Sequence, residues 1–131
     1  MAGTARVRRC PCPQCRTRRN IQNWTLIDND AGLLAAARRS ILKWADEGED
    51  IGAGHLRVRK GASTIDITFT RVDISQSIED ALPANVDLVT ASAFFDIVSA
   101  EFIRKFVSAV ALRRAVFYGV LTYNGIQRWT P

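Results

Sequence analysis

Two rhythms of apolar and polar positions run through residues 24–121, a period near two that predicts strands and one near 3.6 that predicts helices. Trp24-Thr25-Leu26-Ile27 is a short apolar strand ending at Asp28. Residues 31–46 then carry Leu33, Leu34, Ala37, Ile41, Trp44 and Ala45 at the spacing of one helical face. Asp30 stands where its side chain can accept from the open amides of the first turn, and Glu47-Gly48 ends the helix. After a polar loop, residues 56–60 and 64–70 predict two strands joined across Gly61-Ala62-Ser63. In the second, Ile65, Ile67 and Phe69 alternate with Asp66, Thr68 and Thr70, the signature of one wet face, which places the strand at or near a sheet edge.

Arg71-Val72-Asp73-Ile74 closes that strand with a second acid, and a short helix over 77–82 stops at Pro83. Residues 86–91, Val-Asp-Leu-Val-Thr-Ala, predict a strand buried on both faces. A helix over 99–112 gathers Phe102, Ile103, Phe106, Val107 and Val110 on one side, with Arg113-Arg114 near its negative carboxyl end. Residues 115–121 form the last strand, apolar almost throughout. Strands alternating with helices predict right-handed crossovers and an α/β domain with a mostly parallel sheet flanked by helices.

Residues 1–22 follow neither rhythm. They are rich in Arg, Pro and Cys and hold little to bury, which predicts a disordered or loosely attached segment and a boundary near Ile21 to Asn23. Six arginines and no acid fall within residues 1–20, so the net charge of +5 belongs to this stretch and the remainder is close to neutral. No apolar run reaches the roughly 18 residues of a membrane span, and arginines stand where a secretory signal needs an apolar core, which predicts a cytoplasmic protein without a membrane partner. All three cysteines lie in Cys10-Pro11-Cys12-Pro13-Gln14-Cys15, a distribution that suits a reduced compartment and leaves the fold without disulfide staples.

The acid at the end of the first predicted strand carries the most chemistry. At the carboxyl rim of a parallel sheet, a carboxylate in the place of Asp28 can accept both hydrogen bonds of a ribose diol, which points to a nucleotide-containing ligand. With the strand ending Val72-Asp73-Ile74, the segment from Val86-Asp87-Leu88-Val89-Thr90-Ala91-Ser92 to Ser99, and Leu121-Thr122-Tyr123-Asn124-Gly125, residues 24–131 resemble the middle of a class I S-adenosylmethionine-dependent methyltransferase. The resemblance implies a partial Rossmann-like fold, S-adenosyl-L-methionine as cofactor, and methyl transfer to an acceptor that the sequence does not identify. It implies Asp28, with Asn29 beside it, at the ribose. It implies Asp73 at the adenine amino group, Ile74 beside the ring, and Thr90, Ala91 and Ser92 under the sulfonium and amino acid portion.

The departures from that family are equally specific. Its first strand and glycine-rich loop should lie just before Trp24, where residues 10–23 contain no glycine and Gly3 is the only one upstream. The chain also stops before the family's last strands. The expectation is therefore a methyltransferase fragment, with residues 1–22 arising from a truncated or out-of-frame start. The family's first strand lies between its second and fourth, so its loss predicts marginal stability or homo-oligomers formed through exposed edges.

Other readings compete. Asp28 and Asp30 suit a helix cap, Asp73 a strand-end turn, Asp87 a structural position and His55 a solvated loop. Asp28-Asn29-Asp30 begins like a calcium loop, but Leu33 stands where such a loop needs glycine and Arg39 where it needs glutamate, which excludes calcium. Cys10, Cys12 and Cys15 supply three thiolates for zinc without a fourth ligand, so no metal is expected. The surrounding arginines would attract nucleic acid nonspecifically. A noncatalytic remnant that serves as an interaction module, with Phe94-Phe95 and the long apolar helix as its surface, is the remaining alternative.

Overall fold

The computed structural model describes residues 2–8, 20–52, 54–76, 78–92, 95 and 98–120. In chain order these form β1 (Ala2–Arg8), β2 (Asn20–Asp28), α1 (Ala31–Trp44), β3 (Glu47–Gly52), β4 (His55–Lys60), β5 (Ser63–Arg71), α2 (Ile78–Ala81), β6 (Leu88–Ser92), α3 (Ala100–Leu112) and β7 (Val116–Val120). The class is α/β. The strands make one sheet in the order β3-β4-β5-β2-β1-β6-β7.

The sheet is less parallel than the sequence predicts. Among the described residues only β2 with β5 and β6 with β7 pair in parallel, whereas β1 runs antiparallel to both neighbours and β3-β4-β5 is an antiparallel meander. Two insertions cause this. The expected polar loop after α1 is an edge strand, in which Glu47 and Glu49 stand opposite Arg59 and Arg57, pairs that favour the register electrostatically. It pairs with β4, so β5 lies inside the sheet and not near its edge. The wet face of β5 is nevertheless present. Asp66 accepts from Arg57 Nε at 2.6 Å and Nη2 at 3.2 Å on the side opposite Ile67.

The second insertion is β1. Residues expected to stand apart as a disordered segment instead pair over seven positions with β2 and four with β6, and the expected domain boundary falls inside β2. The physical reason is non-local. Two central strands that each lack a partner leave a row of amides and carbonyls unpaired, and any extended segment within reach satisfies them. Residues 9–19 lie outside the described residues.

Local signals place both long helices. Asp30 caps α1 by accepting from the amides of Gly32 at 2.6 Å and Leu33 at 3.3 Å, and Ser99 caps α3 by accepting from Phe102 at 3.1 Å. Two apolar clusters result. Leu56, Val58 and Ile67 are buried with Ile41 of α1 and Ala45, the residue after it, packed against them, while Val89 is buried with Ile78, Phe102, Phe106 and Val110 beneath α2 and α3. Through the register Leu56, Ile67, Trp24, Ala5, Leu88, the first cluster shares a face with Leu88. Side chains alternate along a strand, so Val89 and the second cluster lie on the opposite face. This alternation also gives β6 one buried face and not two.

Candidate functional site at the carboxyl rim

Strands β2, β5, β6 and β7 all point the same way, so their carboxyl ends share one rim, and β1 enters that rim by its amino end. Asp28 ends β2 opposite Arg71 of β5. In the next row Ile27, Ala2 and Ala91 stand side by side, so Asp28 and Ser92 sit at the rim two strand spacings apart, about 9–10 Å. The sequence-predicted residues Asp28, Asn29, Asp73 and Ser92 therefore come together at one edge of the sheet.

Asp28 is half-buried. Its Oδ1 accepts from the amide of Asp30 at 2.9 Å and its carbonyl from the amide of Val72 at 3.1 Å, which joins the turn after β2 to the end of β5. Arg71 reinforces the joint, its Nε donating to the carbonyl of Asn29 at 3.0 Å. Asp73 is exposed and shapes the turn that follows. Its Oδ1 accepts from the Ser75 hydroxyl at 2.6 Å and the Ser75 amide at 3.0 Å, and its Oδ2 from Gln76 Nε2 at 3.3 Å. The Ser75 hydroxyl, the Ser75 amide and then Gln76 hold its carboxyl below the ordinary value of 3.8, although burial opposes them.

One predicted residue belongs to the interior and another is half-buried at its margin. Ile74 packs against the cluster around Val89, and Ala91 is buried in β6, whereas Thr90 is half-buried and Ser92 exposed. Ala91 is not laid open to a ligand, because the buried face of β6 needs apolar contacts, whereas Ile74 keeps part of its surface exposed. The turn-forming role of Ser75 and the tie made by Arg71 were missed from sequence. An acid two residues before a serine is itself a turn signal that reveals the former.

His55 is exposed and its Nδ1 lies 2.9 Å from Thr68 Oγ1, its partner across the β4–β5 ladder. Asp87 is exposed, and its carbonyl accepts from the amide of Val116 at 2.9 Å, a structural role between β6 and β7. Among the described residues no group of His, Cys, Asp and Glu is arranged to hold a metal, and Cys10, Cys12 and Cys15 lie outside them. Among the same residues no helix is long and apolar enough to cross a membrane. An apolar groove of about 750 Å³ opens between α3 and β7, lined by Phe95, Ile103, Phe106, Val107 and Phe117. Phe95, Phe106 and Phe117 meet edge to face with ring centroids 5.2–5.5 Å apart, and Phe94 lies outside the described residues.

Compared with known proteins, the chain matches no family model, no curated protein and no solved structure.

Proposed function

We propose that the chain is a partial Rossmann-like domain of the S-adenosylmethionine-dependent methyltransferase type, whose rim binds the adenosyl part of the cofactor. One observation carries the reading. The order β5-β2-β1-β6-β7, with all but β1 pointing the same way, corresponds to the order 3-2-1-4-5 of a doubly wound sheet, and ligands of such sheets bind outside the carboxyl ends at the switch point. Here the switch point of that order lies between β1 and β6, and Asp28 and Ser92 stand on either side of the amino end of β1.

The residues fit one half of the cofactor better than the other. Asp28 stands at a strand end beside the exposed Asn29, a position that suits a ribose diol, and Asp73 reaches the rim from the adjoining strand in ionised form, suited to an amino group. Toward the methionine end, the place of a strand-to-helix glycine loop is taken by the amino end of β1, and only Thr90 and Ser92 of β6 remain to contact a ligand. S-adenosylmethionine supplies an electrophilic methyl group when bound. The chain's own residues contribute binding and orientation of the nucleoside, and the methyl acceptor is a substrate of unassigned class.

Calorimetric titration of the full chain with S-adenosylmethionine tests this, repeated with Asp28→Ala. Saturable binding that is lost in the variant supports the assignment. A folded chain with no affinity refutes it, and so does binding that survives loss of the Asp28 carboxylate.

A further inference from the structure

We infer that β1 is an exchangeable strand and that the slot between β2 and β6 accepts the β1 of a second copy of this chain. The sheet's own construction supports this. Among the described strands, β1 is the one that joins β3-β4-β5-β2 to β6-β7. The two halves carry separate apolar clusters on opposite faces, one under α1 and the other under α2 and α3. Each half therefore has an apolar cluster of its own, and when β1 leaves, what remains between them is two strand edges with unpaired backbone groups. Such edges template the addition of an extended segment.

The slot selects its occupant by register. β1 is antiparallel on both sides, with Ala2 to Arg8 opposite Ile27 to Ile21 and Ala2 to Ala5 opposite Ala91 to Leu88. A second copy carries the same strand with the same register. In a reciprocal exchange both slots are filled, and the two-fold arrangement closes without leaving an edge at the centre of either sheet. Chain length permits it. Eleven residues, 9–19, link Arg8 to Asn20, whereas a tight antiparallel connection needs only two. Fully extended they span about 36 Å at roughly 3.3 Å per residue, against the roughly 5 Å that separates paired residues across an antiparallel ladder.

A mixed-disulfide experiment on the full chain decides the question. One chain carries Thr4→Cys and the other Thr25→Cys, both in a background of Cys10→Ser, Cys12→Ser and Cys15→Ser. Thr4 and Thr25 are paired in the ladder, and Cα atoms so paired lie about 4.5–5.5 Å apart, within the roughly 4.4–6.8 Å that a disulfide bridges. The expected result is a covalent heterodimer whose yield falls when the mixture is diluted before oxidation. Replacing the partner by one with Asn23→Cys, two positions out of register, should abolish it. Val7→Cys with Gln22→Cys provides a second registered pair should the first disturb folding. A single chain bearing both Thr4→Cys and Thr25→Cys reports the unexchanged form. Rapid closure within that chain, with no mixed disulfide at any concentration from either pair, overturns the exchange. Equal yields from the registered and unregistered partners also overturn it, since they indicate nonspecific association.

Discussion

Nε of Arg71 donates to the carbonyl oxygen of Asn29 at 3.0 Å, tying the carboxyl end of β5 to the residue that follows Asp28. Arg71 is also the ladder partner of Asp28, so one side chain braces the turn that presents the proposed ribose acid. Arg71→Met keeps the aliphatic stem and removes the donor. The bond is exposed, and its loss should lower stability by about 1 kcal/mol, a small shift of the urea midpoint. Affinity for S-adenosylmethionine should weaken severalfold in the same variant, measured by titration, because the turn loses its tether. Unchanged affinity would separate Arg71 from the site.

Acid should destabilise the domain in a defined window. Asp46, Asp50, Asp73 and Glu101 all titrate below their ordinary values. The causes are led by the Gly61 amide for Asp46, the Gly52 amide for Asp50, the Ser75 hydroxyl for Asp73 and Lys105 for Glu101. A carboxyl whose folded value is depressed stabilises the fold fully above its unfolded value and loses that contribution as pH falls through the folded one. The denaturation midpoint should therefore be insensitive to these groups near neutrality and fall below the ordinary 3.8 of an aspartate and 4.5 of a glutamate. Asp46→Asn should flatten part of that fall. Asp46 accepts from Lys60 Nζ at 2.7 Å and the Gly61 amide at 2.8 Å, bonds to which its charge contributes.

What could be read from the residues was local. Asp30 announced its helix because a cap depends on the next three residues, and Asp28 and Asp73 could be placed at strand ends because that position follows from pattern, whereas Ser92 rested on the family resemblance. β1 and β3 could not be read this way. Their strand character comes from partners distant in sequence, the open edges of β2 and β6 for Ala2–Arg8 and the Arg57-Arg59 face of β4 for Glu47–Gly52. Ile74 and Ala91 followed a family motif in the sequence, but in the structure Ala91 is buried in β6 and Ile74 is half-buried against the core around Val89.

Arg113 should matter more than its position after a helix suggests. Its guanidinium donates to the carbonyls of Glu79 at 2.8 Å, Leu82 at 2.9 Å, and Pro83 and Ala109 at 3.0 Å each. These are the open carbonyls at the ends of α2 and α3, which otherwise have no intrahelical donor. Arg113→Met should cost about 2–3 kcal/mol by urea denaturation, since charged hydrogen bonds are worth more than neutral ones. Lysine should restore only a minor part, because one ammonium lacks the planar fork that reaches both helix ends. A loss well under 1 kcal/mol would show that solvent replaces these bonds.

Separate clusters on the two faces of one sheet predict separable local stability. Phe106 is buried among Phe95, Phe102 and Phe117 in the cluster beneath α3, and Leu56 is buried among Val58 and Ile67 in the other. Phe106→Ala should cost about 3–5 kcal/mol and Leu56→Ala about 2–5 kcal/mol, a large part of the 5–15 kcal/mol typical of a whole domain. Where the loss falls is the informative quantity. In Phe106→Ala, native-state hydrogen exchange should accelerate in β6, β7 and α3 while the amides of β4 and β5 retain their protection, and Leu56→Ala should show the reverse. The amides of β1 should accelerate in both variants, because β1 pairs with each half and its ladder is complete only when both edges are present. Uniform acceleration throughout the sheet in either variant would mean that the seven strands open as one cooperative unit.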